Sequence, residues 1–197
     1  MNSIDLLGAT CSLLSTYYFI RLQNKAWFTG LVATSINGWL YWNKGIYADV
    51  MLEIIFALGM GYGWYQWQHD KTKPQKTSDP QSIDSLSFWH WTLLGMIFIA
   101  LLSTIYLVLT VYTNSTIAFL DALTVSLSLA AQWLMCKKNI MTWILWFIAD
   151  ALYVFIYLSK QLPFHSMLMT VYLILAIIGY RKWSKSRTFS LKTAAHC

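Results

Sequence analysis

Charge is scarce in this sequence. Only 14 Lys and Arg and 8 Asp and Glu occur among 197 residues, 11% of the chain, where a soluble domain carries about 25%. With 57% apolar residues and a mean hydropathy of +0.49, the chain reads as an integral membrane protein. Cysteine is also rare. Cys11, Cys136 and Cys197 show no CxxC spacing and no disulfide framework, so they read as small apolar fillers. No GxxxxGKS/T phosphate loop occurs, which removes an ATP-driven pump, and no GxSxG elbow occurs. His69, His90, His165 and His196 are scattered and near segment ends, so no metal centre or membrane metalloenzyme is indicated. The last apolar stretch, 164–180, has no lysine, which excludes a Schiff-base photoreceptor.

What is abundant is the long apolar run. A spanning helix needs about 20 mostly apolar residues. Seven stretches meet this: 4–20, 26–43, 46–67, 88–112, 117–136, 140–159 and 164–180. The first lacks the basic start and small-residue cleavage site of a signal peptide, so it is expected to be a helix. Residues 69–84, "HDKTKPQKTSDPQSID", read as a solvated loop.

The basic residues are sorted by side. Arg21, Lys25, Lys71, Lys73, Lys76, Lys137, Lys138, Arg181, Lys182, Lys185, Arg187 and Lys192 fall in the loops after stretches one, three and five and after the last. Lys44 and Lys160 alone fall on the other side. Twelve against two of the 14 basic residues predicts the N-terminus outside and the C-terminus in the cytoplasm. Topology and lipid headgroups account for the net charge of +6, and no nucleic-acid site is needed.

The sequence also matches itself at a shift of 116. Asp5 meets Asp121, Ser12 meets Ser128, Trp27 meets Trp143, Ala33 meets Ala149, Lys44 meets Lys160, Gly63 meets Gly179 and Trp67 meets Trp183, without a gap. Three helices reverse the chain direction, so a directly joined copy would be inverted. One extra helix restores the direction. The expectation is an all-α integral membrane fold of seven transmembrane helices in a 3+1+3 parallel repeat. It forms one transmembrane domain over 1–184: repeat one about 4–67, linker helix 88–112, repeat two about 117–183. A basic cytoplasmic tail, 185–197, follows. Parallel repeats of this kind suit a transporter with its site near the bilayer midplane.

The carboxylates narrow the site. Asp70, Asp79 and Asp84 lie in the linker, while Asp5, Asp121 and Asp49 lie near helix ends, where a carboxylate is inexpensive and can cap a helix N-terminus. Asp150 lies mid-helix, and Glu53 lies about 10 Å into its helix at 1.5 Å per residue. A carboxylate at the bilayer centre costs on the order of 2.5–3.5 kcal/mol. Either these two fix helix packing through hydrogen bonds or they face a cavity. No Lys or Arg lies deep in any span to pair with them, so a cationic ligand or a proton is the natural partner. In "TWILWFIAD" (142–150), Trp143 and Trp146 flank Asp150 at about 20° and 40° around the helix. Trp143 also fits an interfacial belt. Two indoles beside an anion suit a flat cation. The second helix has Gly30 and Thr34 in the places of Trp146 and Asp150, so the halves are not equivalent. Asn37 and Gln132 complete the candidate substrate-binding set of Trp143, Trp146, Asp150, Glu53, Asn37 and Gln132. Trp64 is a weaker candidate.

WxxWxxxD (Trp143, Trp146, Asp150), "IYADVMLEIIF", "GYGWYQW" and "GYRKW" together resemble the Pnu vitamin transporters, over residues of about 5–183. The resemblance implies a full-length SWEET-like transporter in a bacterial plasma membrane. It implies facilitated diffusion with trapping by a cytosolic vitamin kinase, a trimeric assembly, and no enzymatic activity or cofactor. It implies a cationic vitamin cargo, nicotinamide riboside first. Glu53 stands where the nicotinamide riboside branch commonly has Gln, and with the acid at Asp150 this keeps thiamine as the alternative. Outside the family, a proton-coupled small-molecule transporter or a non-transporting membrane sensor remains.

Overall fold

The computed structural model describes residues 3–43, 45, 47–72, 87–112, 117–159, 161 and 163–194. Among them are seven α-helices: α1 (Ser3–Ile20), α2 (Lys25–Asn43), α3 (Tyr47–Thr72), α4 (Phe88–Tyr112), α5 (Ala118–Cys136), α6 (Met141–Ser159) and α7 (Pro163–Ala194). Four of them, α4, α5, α6 and residues 163–187 of α7, are long and apolar enough to cross a membrane. At 1.5 Å per residue the 18- and 19-residue helices are about 27–28 Å long, close to the hydrocarbon thickness of a bilayer.

Two ends depart from the sequence expectation. α3 runs to Thr72 and α7 to Ala194, past the apolar runs that marked them. Residues 69–72, expected as loop, are helical, and so are residues 185–194 of the expected tail. Polar residues extend a helix into water without leaving a hydropathy signal. The rest of the linker, including Asp79 and Asp84, lies outside the described residues, as do Lys44, Lys160 and the side chains of Asp49 and Asp70.

The chain divides into two compact units, residues 1–83 with 181–197, and residues 84–180. In the first, α2 packs against α1 and α3. α1 closes with Leu22 in the left-handed region, φ 54°. The Gln23 amide bonds to the Tyr18 carbonyl and the Leu22 amide to the Phe19 carbonyl, both at 3.0 Å. This is a Schellman cap with leucine where glycine is usual. Ser15 Oγ donates to the Ala26 carbonyl at 2.8 Å and ties α1 to α2. Phe19, Trp27 and Trp67 meet edge to face, with centroids 4.7 Å (Phe19–Trp27) and 5.3 Å (Trp27–Trp67) apart. Trp183 Nε1 donates to the Phe19 carbonyl at 3.2 Å, which anchors the end of α7 in this unit.

In the second unit α5 packs against α4 and α6. α5 ends in the same kind of cap. Lys138 has φ 50°, the Asn139 amide bonds to the Leu134 carbonyl at 3.0 Å, and the Lys138 amide to the Met135 carbonyl at 3.1 Å. Asn139 Oδ1 accepts from the Met141 amide at 2.9 Å and caps α6. Thr142 Oγ1 donates to the Ala131 carbonyl at 2.7 Å and ties α6 to α5. α4 has no buried residue. A helix apolar on all sides needs an apolar solvent or partner, and lipid supplies one.

Candidate functional site

Asp150 is 6% exposed. Among the described residues it accepts no hydrogen bond and meets no cation. A charge removed from water without a partner is strongly unfavourable, so this carboxyl is favoured only as the neutral acid or beside a cation. α6 buries Thr142, Trp143, Ala149, Asp150 and Ile156 on one arc. It leaves Phe147, Ile148, Phe155 and Leu158 on the outer side. Trp146 lies inside the buried arc, about 40° from Asp150, yet it is only half-buried. Its indole therefore keeps exposed surface on the helix face that carries the acid.

The two tryptophans are placed differently. Trp143 is 2% exposed and lies against Gly179 of α7, where an added Cβ would come 2.5 Å from Cδ2 and Cε3 of the indole. Trp27 lies against Gly63 of α3 in the same way, too close to admit a Cβ. Trp143 thus sits in the packing between α6 and α7, and Trp146 carries the accessible ring. At position 30 of the first unit, by contrast, an added Cβ would meet Met60 Sδ at 2.8 Å and Ser15 Oγ at 2.9 Å. A side chain at Gly30 would have to displace the end of Met60 and crowd Ser15, and the first unit carries no indole beside Thr34.

Gln132 is a buried residue of α5 in the second unit. Glu53 and Asn37 belong to the first. Asn37 Oδ1 lies against Gly8 of α1. Glu53 lines a cavity of about 220 Å³ between α2 and α3, with Thr34, Ser35, Gly38, Trp39, Val50, Ile54 and Ala57. That is below the ~300–1,000 Å³ of drug-sized pockets. Thr34 donates to the Leu31 carbonyl of its own helix at 3.0 Å, so its hydroxyl is already engaged. The structure thus groups Trp143, Trp146, Asp150 and Gln132 in one unit, and Glu53 and Asn37 in the other. Trp64, the weaker candidate, is exposed. Residue types alone did not single out Gly63 and Gly179, although the 116-residue match contains both.

Membrane-length apolar helices, one of them carrying a buried carboxyl that has no partner among the described residues, mark an integral membrane protein. The chain belongs to the family described as nicotinamide mononucleotide transporter, whose model matches residues 2–185. It is 22% identical over 214 residues to the nicotinamide riboside transporter PnuC of Escherichia coli (strain K12), covering 94% of this chain and 87% of that protein. The same figures hold for the PnuC of Shigella flexneri. Among solved structures it is similar to the crystal structure of the vitamin B3 transporter PnuC, with a TM-score of 0.74, 18% identity, and 95% and 83% of the two chains covered. That likeness carries the fold.

Proposed function

We propose that this chain takes up a cationic vitamin, nicotinamide riboside first, by facilitated diffusion, with a cytosolic kinase trapping the cargo. The observation that carries this reading is Asp150: buried, without hydrogen bond or cation among the described residues, and beside the half-exposed ring of Trp146. A carboxylate and an aromatic face together recognise a flat organic cation. Nicotinamide riboside, the cargo named for the Escherichia coli relative, carries a pyridinium and fits that chemistry.

The 3+1+3 parallel repeat and the SWEET-like arrangement belong to the same reading. Their support is local. α2 and α6 start and end 116 residues apart, and the left-handed residues Leu22 and Lys138, and Gly45 and Gln161, share that spacing. So do the Ser15–Ala26 and Ala131–Thr142 bonds, with the donor moved to the other helix. A trimer in the bacterial plasma membrane, N-terminus outside, completes the proposal.

Thiamine is the second reading, favoured by the carboxyl of Glu53 lining the α2–α3 cavity, since an acid pairs well with an aminopyrimidine nitrogen. Calorimetric titration of the purified protein with both vitamins decides between them. Tighter binding of nicotinamide riboside supports the first reading, and tighter binding of thiamine replaces it. Uptake into right-side-out vesicles that a protonophore abolishes would replace facilitated diffusion with proton coupling.

A further inference from the structure

Beyond Asp150, α6 continues with Tyr153 and Tyr157. Relative to Asp150 at about 100° per residue, Trp146 falls near −40°, Tyr153 near −60° and Tyr157 near −20°. All three rings share the inward arc that also buries Thr142, Ala149 and Ile156. The lipid-side residues Phe155 and Leu158 fall near 140° and 80° on the same scale, and they are exposed. An interfacial aromatic belt would point with Phe155 and Leu158. Tyr153 and Tyr157 point away from them and are half-buried. Their rings are nearly parallel, 17° apart in plane with centroids at 5.9 Å. Tyr157 in turn meets His165 of α7, at 5.3 Å and 45°. His165 is exposed, so the row runs from a buried acid to solvent at the end of α6 away from Lys137 and Lys138.

We propose that Tyr153, Tyr157 and His165 form an aromatic entry subsite, on which a flat heteroaromatic cation docks before it reaches Trp146 and Asp150. This rests on the cationic-vitamin reading above. Ring faces attract cations without requiring fixed hydrogen-bond geometry, which suits a ligand that must move on. The spacing sets the docking mode. A ring inserted between two others needs about 7–8 Å, twice the 3.5–4.0 Å contact distance. The 5.9 Å between Tyr153 and Tyr157 is too narrow, so the ligand docks against the outer faces of the row and is not sandwiched. A way-station of this kind lowers the barrier to entry and to exit alike. It changes rates and leaves the final equilibrium at Asp150 unaltered.

The test is stopped-flow tryptophan fluorescence of the purified full chain mixed with nicotinamide riboside or thiamine. The variants are the pair Tyr153→Leu/Tyr157→Leu, the pair Tyr153→Phe/Tyr157→Phe, and His165→Ala. In the leucine pair, association and dissociation should each slow about threefold or more, with Kd within about twofold of wild type. The phenylalanine pair keeps the ring faces and should keep wild-type rates. His165→Ala, at an exposed position, should slow association in the same direction even if the leucine pair does not fold. Wild-type rates in both the leucine pair and His165→Ala would overturn the subsite. Rates as slow in the phenylalanine pair as in the leucine pair would also overturn it, because hydroxyl bonding would then be the cause. If wild type binds neither vitamin, the transport reading itself fails and the subsite falls with it, a result distinct from any difference among variants.

Discussion

Trp143 and Gly179 form one packing element: a methyl group at Gly179 would lie 2.5 Å from Cδ2 and Cε3 of the Trp143 indole. Trp27 and Gly63 repeat the relationship 116 residues earlier. Gly179→Ala therefore forces an overpacked contact, which costs about 1–3 kcal/mol. Gly63→Ala should behave alike. Thermal unfolding in detergent should show both variants melting below wild type. Wild-type stability in both would mean that the indoles are free to move aside.

Trp143 and Trp146 separate on the same logic. Trp143→Ala removes a buried ring and should lower stability by about 3–5 kcal/mol. Trp146→Ala should leave the melting temperature nearly unchanged and weaken cargo binding by about 2- to 30-fold, the loss of one cation–π contact of ~0.5–2 kcal/mol. Trp146→Phe should recover part of the affinity. Paired melting curves and titrations check this, and equal effects of the two alanine variants on affinity would contradict the assignment.

Much of this was legible in the sequence. The apolar runs located all seven helices, because burial in lipid demands continuous apolar length, and α2 and α6 end where the runs end. The extensions of α3 and α7 were not legible, since helical polar residues in water look like loop. Asp150 stood out because an acid mid-span is unfavourable and no basic residue lay deep enough to pair with it. The difference in burial between Trp143 and Trp146 was hidden. It depends on Gly179 facing one indole, a tertiary contact that helix periodicity does not encode. The same holds for Gly30, which lies against the end of Met60 and the Ser15 hydroxyl. The row from Tyr153 to His165 follows helical spacing on α6, but its last member arrives from α7.

The two proposed cargoes differ in what they ask of Glu53. A carboxyl pairs with an aminopyrimidine, while an amide both donates to and accepts from a carboxamide. If the cargo is nicotinamide riboside, Glu53→Gln should bind it equally or more tightly. If the cargo is thiamine, Glu53→Gln should lose roughly tenfold to a hundredfold in affinity, about 1–3 kcal/mol for a polar group left unsatisfied. Competition between the two vitamins on wild type and variant reads this out. Insensitivity of both ligands would make Glu53 a packing residue of the α2–α3 cavity.

The expected topology, which would gather twelve of the 14 basic residues on one side, predicts the orientation. A phosphatase reporter that is active only outside should be silent when fused after Cys197 and active when placed near Asn114. The reverse pattern would invert the topology.

The central claim is that the carboxyl of Asp150 meets a cationic cargo, and titration calorimetry on purified Asp150→Ala and Asp150→Asn tests it most directly. Losing the charged partner of a buried cation costs several kcal/mol, so Asp150→Ala should weaken binding by well over about tenfold. Asp150→Asn keeps the acceptor oxygen and the shape and should lose less. A folded Asp150→Ala protein that binds the vitamin with wild-type affinity would contradict the account.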